Sequence, residues 1–412
     1  TTLYVKSAYL TALGKLDVRE NLEFFKNRLL EVKNQQVPAE EQKHQGEEIR
    51  ELNEIILKTE GAKKHQFTGF QMSHEMLLLT NREQREVTLS EVKEIGASVQ
   101  RKAELHPLGV LVFSKKVTPF TKLRTYRELL FPIHTNERIP AMPHRAAELL
   151  WHSDLYAFLT ECHEGDAPFF FRLEVKSAEP KTEFVKKLGA SLEKKSDWKL
   201  ANSTTDYEIE IRLIEAKDGS FVPFLKLYSM KMKRFAYRKN AIAMSIHPAT
   251  AAMLMYLAKP YLKENAQILD PCCGVGTMLI ERDILVPARE KYGIDIFGDA
   301  IDMARENAAL AGEKINFIHR DYFDFKHDYK FDEIVTNMPV KGKKAKEDMD
   351  AFYARFFEKS KSLLAEDGII IMYSNEVGFV KKQLRLQPCY RLIQEYTVRK
   401  KDSYCLFIIG MK

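Results

Sequence analysis

The sequence contains no uninterrupted run of about eighteen apolar residues, the length at which a membrane-spanning helix is expected. It also does not open with a basic segment followed by an apolar leader. We therefore expect neither export nor membrane insertion, and we predict a cytoplasmic location. Only five of the 412 residues are cysteines, and they are too scattered for a disulfide framework or a zinc site. No metal site is predicted.

Two common phosphate-binding motifs are absent from the glycine-bearing loop that follows Asp270. The dinucleotide fingerprint requires a third glycine where Leu279 stands, and the phosphate-binding loop requires Gly-Lys before Ser or Thr. What remains is a short apolar run, a loop with Gly274 and Gly276, and helical spacing from Thr277 onward. This pattern predicts a strand, a tight loop and a helix that receive a ligand without pyrophosphate, such as S-adenosylmethionine. A purely structural turn is the alternative.

Three later segments place polar residues at the ends of predicted strands, where a doubly wound sheet has its ligand edge. Asp295 ends a second strand, and its carboxylate can accept hydrogen bonds from both hydroxyls of a ribose. Asp321 follows a third strand and can accept from an adenine amino group. Asn337 follows a fourth strand, and its side-chain oxygen and the carbonyl before Pro339 are two acceptors on a stiff turn. Two acceptors suit an NH2 group.

Residues 270–281, 293–296, 299–308 and 337–339 together resemble the class I RNA methyltransferases that modify guanine N2 and carry a THUMP domain. The resemblance implies a Rossmann-like sheet that binds S-adenosylmethionine through Asp270, Pro271, Cys272, Gly274, Gly276, Thr277, Asp295, Ile296, Asp321 and Tyr322. It also implies that the target amine is held by Asn337, Met338 and Pro339. The sequence departs from the family pattern at Val275, which replaces a small hydroxyl residue, and at Val340, which replaces an aromatic that stacks on the flipped-out base.

Residues 249–412 form the predicted methyltransferase domain. The chain ahead of this domain divides into three segments. Residues 1–150 are predicted to be a helix-rich region of unknown role, in which two apolar stripes indicate a helix hairpin or, alternatively, a dimer seam. Within this region we expect a strand or a packed turn over residues 1–13, helices over residues 88–103 and 126–130, and a short strand over residues 110–113. Residues 151–230 follow a β-α-β-β order that resembles the second half of a THUMP domain, which in that family binds the acceptor end of tRNA. Another kind of interaction module is the alternative. A basic linker, residues 231–248, joins these segments to the methyltransferase domain. The predicted fold class is α/β, with a C-terminal Rossmann-like sheet, an α+β THUMP-like domain and a helical N-terminal region.

Two basic segments are candidates for contact with RNA phosphates. The linker carries Lys231, Lys233, Arg234, Arg238 and Lys239, with aromatic residues between them, which favours nucleic-acid binding over a solvated connector. The second segment follows the Asn-Met-Pro turn directly, where its lysines would hold the phosphates beside a target nucleotide: Lys341, Lys343 and Lys344.

The sequence therefore predicts an S-adenosylmethionine-dependent methyltransferase that acts on an exocyclic amine of RNA, with guanine N2 of tRNA or rRNA as the expected target. Two alternatives remain. One is methylation of another amine, such as adenine N6 in DNA or a glutamine side chain in protein. The other is a non-catalytic relative that binds S-adenosylmethionine or RNA, for which Val340 is the best support.

Overall fold

The computed structural model describes residues 3–60, 64–96, 99–165, 168–340 and 346–412. Its helices are α1 (Leu3–Leu13), α2 (Leu22–Asn34), α3 (Gln42–Glu60), α4 (Arg85–Glu94), α5 (Pro143–Trp151), α6 (Leu155–Cys162), α7 (Thr182–Lys195), α8 (Pro248–Ala258), α9 (Thr277–Leu285), α10 (Gly298–Ala311), α11 (Lys346–Leu363) and α12 (Val377–Leu386). Within these described ranges, no helix combines the length and the apolar character needed to cross a bilayer.

The strands are β1 (Gln66–Phe67), β2 (His74–Leu79), β3 (Gln100–His106), β4 (Gly109–Ser114), β5 (Glu128–Pro132), β6 (His163–Glu164), β7 (Phe169–Lys176), β8 (Leu200–Asn202), β9 (Ile209–Glu215), β10 (Phe221–Leu227), β11 (Gln267–Asp270), β12 (Glu290–Asp295), β13 (Asn316–His319), β14 (Phe331–Asn337), β15 (Leu364–Ser374), β16 (Tyr390–Arg399) and β17 (Tyr404–Met411).

The chain forms two compact units that differ from the predicted segments. The first unit comprises Thr1–Gly69 and Phe131–Lys231, and the second comprises Phe70–Leu130 and Met232–Lys412. The residues between 70 and 130 therefore belong with the C-terminal part of the chain rather than with the N-terminal helices. The functional division into segments 1–150, 151–230, 231–248 and 249–412 stays a prediction.

Helices α1, α2 and α3 pack together in the first unit. Their apolar stripes meet in a buried cluster that includes Leu10, Phe25, Val32, Leu52 and Ile55. The predicted hairpin of α2 and α3 is confirmed, and its stripes form an intramolecular core. The opening residues, expected to be a strand or a packed turn, are instead helix α1, because Leu10 joins the same cluster and packing decides the conformation of so short a segment.

The first unit also contains the predicted β-α-β-β piece. Strand β7 is followed by α7, and β7 pairs in parallel with β9, which pairs antiparallel with β10. The structure adds one short strand, β8, which lies beside β7 at the edge of the sheet. The residues Phe131 and Pro132 at the end of β5 pair with the outer side of β10.

Residues 70–130 of the second unit contain more strand than the sequence predicted. Strands β3, β4 and β2 pair antiparallel, and residues 128–130 of β5 pair with β2. The helix expected over residues 88–103 ends at Glu94, and the helix expected over residues 126–130 is strand β5. The short strand predicted over residues 110–113 is confirmed as β4, whereas the prediction for residues 1–150 omitted β1, β2, β3 and β5. A short apolar run such as Leu129-Leu130-Phe131 has no period that distinguishes strand from helix.

The large sheet of the second unit has the strand order β13-β12-β11-β14-β15-β17-β16, and all its strands are parallel except β17. Helices cover both faces. On one face Ile370 and Met372 pack in a cluster with α11, and on the other face Ile369 and Ile371 pack in a cluster with α8. This is the predicted Rossmann-like, doubly wound sheet. Its strand order reverses between β11 and β14, and ligands bind in the crevice at such a reversal.

Candidate active site

The loop after β11 is joined to the end of β12 by backbone hydrogen bonds. The Cys273 N–H donates to the carbonyl of Ile294 at 2.9 Å, and the Gly274 N–H donates to Oδ2 of Asp295 at 2.8 Å. The first predicted acidic residue, Asp270, ends β11, and its Oδ1 accepts from the Cys272 N–H at 3.1 Å. The structure therefore brings together the predicted loop and the predicted ribose-binding carboxylate.

The two glycines of this loop, Gly274 and Gly276, have different structural roles. Both have left-handed backbones, with φ of +50° at Gly274 and +81° at Gly276. A side chain at Gly276 would begin 2.9 Å from Cζ of Phe317, so this glycine permits close packing of the loop on the sheet. Nothing lies within 4 Å of the place where a side chain would begin at Gly274. The backbone at Gly274 is therefore open to a ligand.

The start of helix α9 adds an unused polar group. Thr277 is the first residue of α9, and its buried hydroxyl has no hydrogen-bond partner among the residues that the structure describes. Pro271 is buried and Cys272 is half-buried in the same loop. The open space at Gly274 and the unpartnered hydroxyl of Thr277 fit the loop to hold a polar ligand such as the methionine end of S-adenosylmethionine.

Asp270 is an unusual carboxyl group because it is fully buried. Burial is the main cause that raises the pKa of Asp270 to about 7, and the negative charge of Asp295 acts in the same direction, while the hydrogen bond from the Cys272 N–H and, less, the Thr336 hydroxyl oppose the shift. The ionised form of such a buried carboxyl group would be stabilised by a cationic or hydrogen-donating ligand. An ammonium group is such a ligand.

Asp295 lies between the loop and an exposed apolar surface. Its Oδ1 accepts from the Phe297 N–H at 3.0 Å, which fixes the carboxylate at the end of β12. Ile296 and Phe297 beside it have 57% and 64% of their surface exposed. A carboxylate beside exposed apolar side chains suits a ribose and a planar base. Phe297 was not among the predicted site residues, although its position two residues after a strand-terminal carboxylate could have indicated it.

The segment after β13 supports only part of its predicted role. Asp321 is exposed, and its Oδ1 accepts from the Phe323 N–H at 2.9 Å. Tyr322 is buried, and its hydroxyl lies 2.9 Å from Oγ of Ser360 in the core. The ring of Tyr322 is therefore not open to a cofactor or a base, so its predicted part in the site is limited to its backbone.

The Asn-Met-Pro turn begins at Asn337, the last residue of β14, which is the strand next to β11. Asn337 pairs with Tyr373 of β15, and the Met338 N–H donates to the Tyr373 carbonyl at 2.9 Å, so the turn is fixed to the sheet. The Met338 side chain is buried, which leaves its backbone as the available group. The Asn337 side chain is half-buried and forms no hydrogen bond to any other described residue. Since β11 and β14 are parallel neighbours, Asp270 and Asn337 lie at the same edge of the sheet.

The basic linker is only partly available to RNA. The Arg234 guanidinium donates to the carbonyls of Leu123, Tyr126 and Arg127 and stacks over the Tyr126 ring at 3.7 Å. These bonds occupy the guanidinium, so the structure gives Arg234 a structural role instead of the predicted phosphate contact. Arg238 donates to the carbonyl of Ile246 at 3.2 Å.

The remaining predicted RNA contacts are exposed or lie outside the described residues. Lys231 and Lys233 are exposed, and Lys239 is exposed 3.7 Å from a carboxylate oxygen of Glu306. The three predicted contacts of the second basic segment fall outside the described residues: Lys341, Lys343 and Lys344.

Comparison with known proteins agrees with this geometry. Residues 236–404 match the family UPF0020, described as an RMKL-like methyltransferase domain. A tRNA (guanine(10)-N2)-dimethyltransferase from Methanothermobacter thermautotrophicus is 33% identical over 162 residues, which are 39% of this chain and 46% of that enzyme. The structure of TrmN from Thermus thermophilus has a TM-score of 0.58 at 19% identity and covers 82% of this chain and 99% of TrmN. A second solved structure is that of SMU.472 complexed with SAH. It has a TM-score of 0.62 at 14% identity, and the match covers 82% of this chain and 98% of the SMU.472 chain.

The chain thus spans about half the length of its tRNA-modifying relative. The two solved structures, at this level of identity, show the fold. The match to UPF0020 covers β11 to β15 and both predicted site segments. The predicted resemblance to guanine-N2 RNA methyltransferases is confirmed by this relative, and residues 236–404 are similar to the methyltransferase domains that the UPF0020 family describes.

Proposed function

We propose that the protein transfers a methyl group from S-adenosylmethionine to the exocyclic N2 amine of guanine in a tRNA or an rRNA. One observation carries the proposal. The open backbone at Gly274 and the uncommitted side chain of Asn337 lie at the same edge of one sheet, on either side of its reversal point. The first supports cofactor binding and the second supports binding of an amine.

Several residues would hold the cofactor in this proposal. Asp270 and the loop at Gly274 would bind its methionine end, Asp295 its ribose, and Asp321 its adenine amino group. S-adenosylmethionine supplies a methyl group that the sulfonium charge already activates. The protein therefore has mainly to align that methyl group with the nucleophile, which is a positioning task.

The Asn-Met-Pro turn would supply the alignment. The Asn337 side-chain oxygen and the Met338 carbonyl each accept one N–H of the target amine, which directs the nitrogen lone pair toward the methyl group. Both oxygens also stabilise the positive charge that grows on nitrogen as the N–C bond forms. The proton then leaves to water from a cationic nitrogen, so no residue has to act as a base before transfer. The hydrogen bond from the Met338 N–H to Tyr373 keeps the turn in place.

The RNA substrate rests on two supports. The relative from Methanothermobacter thermautotrophicus is named for guanine N2 of tRNA. In addition, β7, α7, β9 and β10 follow the order expected for half of a THUMP domain, and we propose that residues 151–230 are such an RNA-binding domain. The predicted cytoplasmic location agrees with a tRNA or rRNA substrate and stays part of the proposal.

Methyl transfer from labelled S-adenosylmethionine tests the proposal directly. Purified full-chain protein is incubated with unmodified tRNA and rRNA transcripts, with duplex DNA and with a protein mixture, and nucleosides from the labelled RNA are identified by mass spectrometry. We expect N2-methylguanosine. Label in DNA or protein alone would select another amine, and label in none of them would favour a non-catalytic binding protein.

Asn337→Ala tests the assignment of the turn. Loss of one oxygen that stabilises developing charge should lower the single-turnover rate by at least roughly 30-fold, or about 2 kcal/mol. SAH affinity, measured by calorimetry, should not change, since the residue contacts the amine. The matched control is Asn316→Ala, at the exposed start of β13 on the same sheet. An unchanged rate in Asn337→Ala would contradict the assignment.

A further inference from the structure

A pocket of about 270 Å³ lies within the first unit, and none of its lining residues belongs to the candidate active site. Helix α3 contributes Arg50, Glu54 and Lys58 to its wall, and the segment from the end of α7 contributes Glu193 and Trp198. Pockets for small ligands usually have volumes of about 300 to 1,000 Å³. This one suits a single planar ring system better than a dinucleotide.

The pocket contains a buried carboxylate with an unused oxygen. Glu193 on α7 has only 5% of its surface exposed. Its Oε1 accepts from the Asn202 N–H at 2.8 Å, whereas Oε2 has no hydrogen-bond partner among the described residues. Burial raises the pKa of Glu193 to about 7. Since Glu193 lines the pocket, a ligand bound there can donate N–H groups to this oxygen in place of water.

A strained turn places an aromatic ring in the same pocket. Asp197 and Trp198, which follow α7, both have left-handed backbones, with φ of +50° and +60°. Two successive residues other than glycine rarely adopt this conformation, and such strain is concentrated at functional sites. The backbone N–H of Trp198 donates to the backbone carbonyl of Glu193 at 3.0 Å. This bond connects the turn to α7, the helix that carries the carboxylate. Phe170 of β7 adds a second aromatic wall.

The four charged side chains around Glu193 balance one another. Nε of Arg50 and Oε1 of Glu54, both on α3, lie 3.7 Å apart, and Lys58 and Asp206 add one charge of each sign to the lining. Glu193 is therefore the group that a ligand has to satisfy, and a neutral N–H donor can do so without a charge of its own. A neutral planar ring with two adjacent N–H donors satisfies Glu193 and the aromatic walls together. Among the nucleobases, the N1–H and N2–H edge of guanine has this pattern.

We propose that this pocket binds one unpaired guanine base, with Glu193 accepting from its N1–H and N2–H edge and Trp198 stacking on its face. The base belongs either to a free nucleotide or to an unpaired nucleotide of RNA. The site is independent of the proposed methyl transfer, because no residue of the candidate active site lines it. The two proposals can therefore fail separately.

Tryptophan fluorescence tests this site because the chain has only two tryptophans, Trp151 and Trp198. In the full-chain Trp151→Phe variant, Trp198 is the sole reporter, and stacking of a base on its indole quenches the emission. The variant is titrated with GMP, AMP, CMP and UMP and with single-stranded RNA oligonucleotides that contain one guanine or none. We expect saturable quenching by GMP or by the guanine-containing oligonucleotide. A tighter response to the oligonucleotide identifies RNA as the source, and a tighter response to GMP identifies a free nucleotide.

Two further variants separate the proposed contacts from general effects on the fold. Glu193→Gln keeps an oxygen for the Asn202 N–H but replaces the free acceptor, so it should weaken guanine binding at least tenfold. Its control is Glu183→Gln, an exposed carboxylate on the same helix, which should bind as the parent does. Trp198→Phe, in which Trp151 remains, should show no quenching. Equal quenching by all four nucleotides, no saturable quenching, or equal affinity of the Glu193 and Glu183 variants would overturn the proposal.

Discussion

The sheet edge of the second unit and the linker at residues 231–239 both attracted functional predictions, yet the structure treats their polar groups in opposite ways. At the sheet edge, the Asn337 side chain has no partner among the described residues, and the space at Gly274 is open. In the linker, Arg234 donates to three backbone carbonyls, and the Tyr237 hydroxyl donates to Glu281 at 2.6 Å.

The difference separates groups kept for a ligand from groups that hold the fold. Glu281 receives Tyr237 and also two hydrogen bonds of 2.8 Å from Arg124, all within the second unit. A cluster of basic and aromatic residues in a sequence indicates nucleic-acid binding only if the side chains stay free. Polar side chains at the sheet edge should therefore lower the free energy of unfolding, whereas the bonded side chains of the linker should raise it.

The largest expected effect is the pH dependence that Asp270 gives to stability. The pKa of this carboxyl group is about 7 in the folded protein, against about 4 in an unfolded chain. Between these values the folded protein keeps a proton that the unfolded chain has released, so the free energy of unfolding falls as pH rises from about 4 to 7. Asp270→Asn lacks this group. The free energy of unfolding of Asp270→Asn, relative to that of the parent protein, should therefore increase by up to about 4 kcal/mol between pH 4 and pH 8.

Urea unfolding curves of the parent and Asp270→Asn, recorded across that pH range, measure this difference. Asp302→Asn, an exposed aspartate on α10, is the control and should follow the parent at every pH. Parallel curves for the parent and Asp270→Asn would mean that Asp270 does not resist ionisation in the folded protein. They would also remove the reason to expect that a cationic ligand is drawn to it.

Arg234→Ala should have the opposite sign. Removal of the guanidinium leaves the carbonyls of Leu123, Tyr126 and Arg127 without their donor, and this should lower the free energy of unfolding by roughly 2 to 3 kcal/mol. Lys233→Ala, at the exposed neighbouring position, should change it by less than about 0.5 kcal/mol. If both variants unfold at the same urea concentration, Arg234 does not stabilise the second unit.

The sequence predicted the strands and ligand edge of the C-terminal sheet because the signals there are local. Each of β11, β12 and β14 has apolar residues shortly before the polar residue on which it ends, and parallel strands place those ends at one edge. The antiparallel insertion of β17 between β15 and β16 was not predictable in this way. It depends on pairings such as Ile371 with Ile408, which are far apart in the chain and have no local signature.

The roles of individual polar residues were harder to predict than the strands. Arg234 and Tyr322 have suitable chemistry for their predicted contacts, but their partners come from residues 123–127 and from Ser360, which no spacing in the sequence connects to them. The pocket at Glu193 and Trp198 was missed for a related reason. Glu193 reads as one more charged residue near the end of a helix, and only the fold shows that it is buried.

Asp295→Asn tests whether the carboxylate at the end of β12 serves a ligand or only the loop. The amide keeps one oxygen that can accept from the Gly274 N–H, so the loop should stay in place, although the Phe297 N–H loses its acceptor. It loses the charge that strengthens hydrogen bonds to ribose hydroxyls, and SAH affinity should fall at least about tenfold, or about 1.4 kcal/mol. Calorimetric titration with SAH measures the change. Unaltered affinity would assign Asp295 to the loop alone.

The smallest expected effect belongs to the exposed part of the linker, and it decides how much of the RNA-binding prediction survives there. Lys231 and Lys233 are exposed, so replacing both with glutamine should leave the fold intact and weaken RNA binding only modestly. The informative quantity is the slope of log affinity against log salt concentration, which falls by about 0.7 to 0.9 for each phosphate contact that is lost. A slope shallower by about 1.5 would show that both lysines contact phosphate although Arg234 cannot. A slope that stays the same would show that neither lysine contacts phosphate, and RNA affinity would then have to come from other residues of the protein.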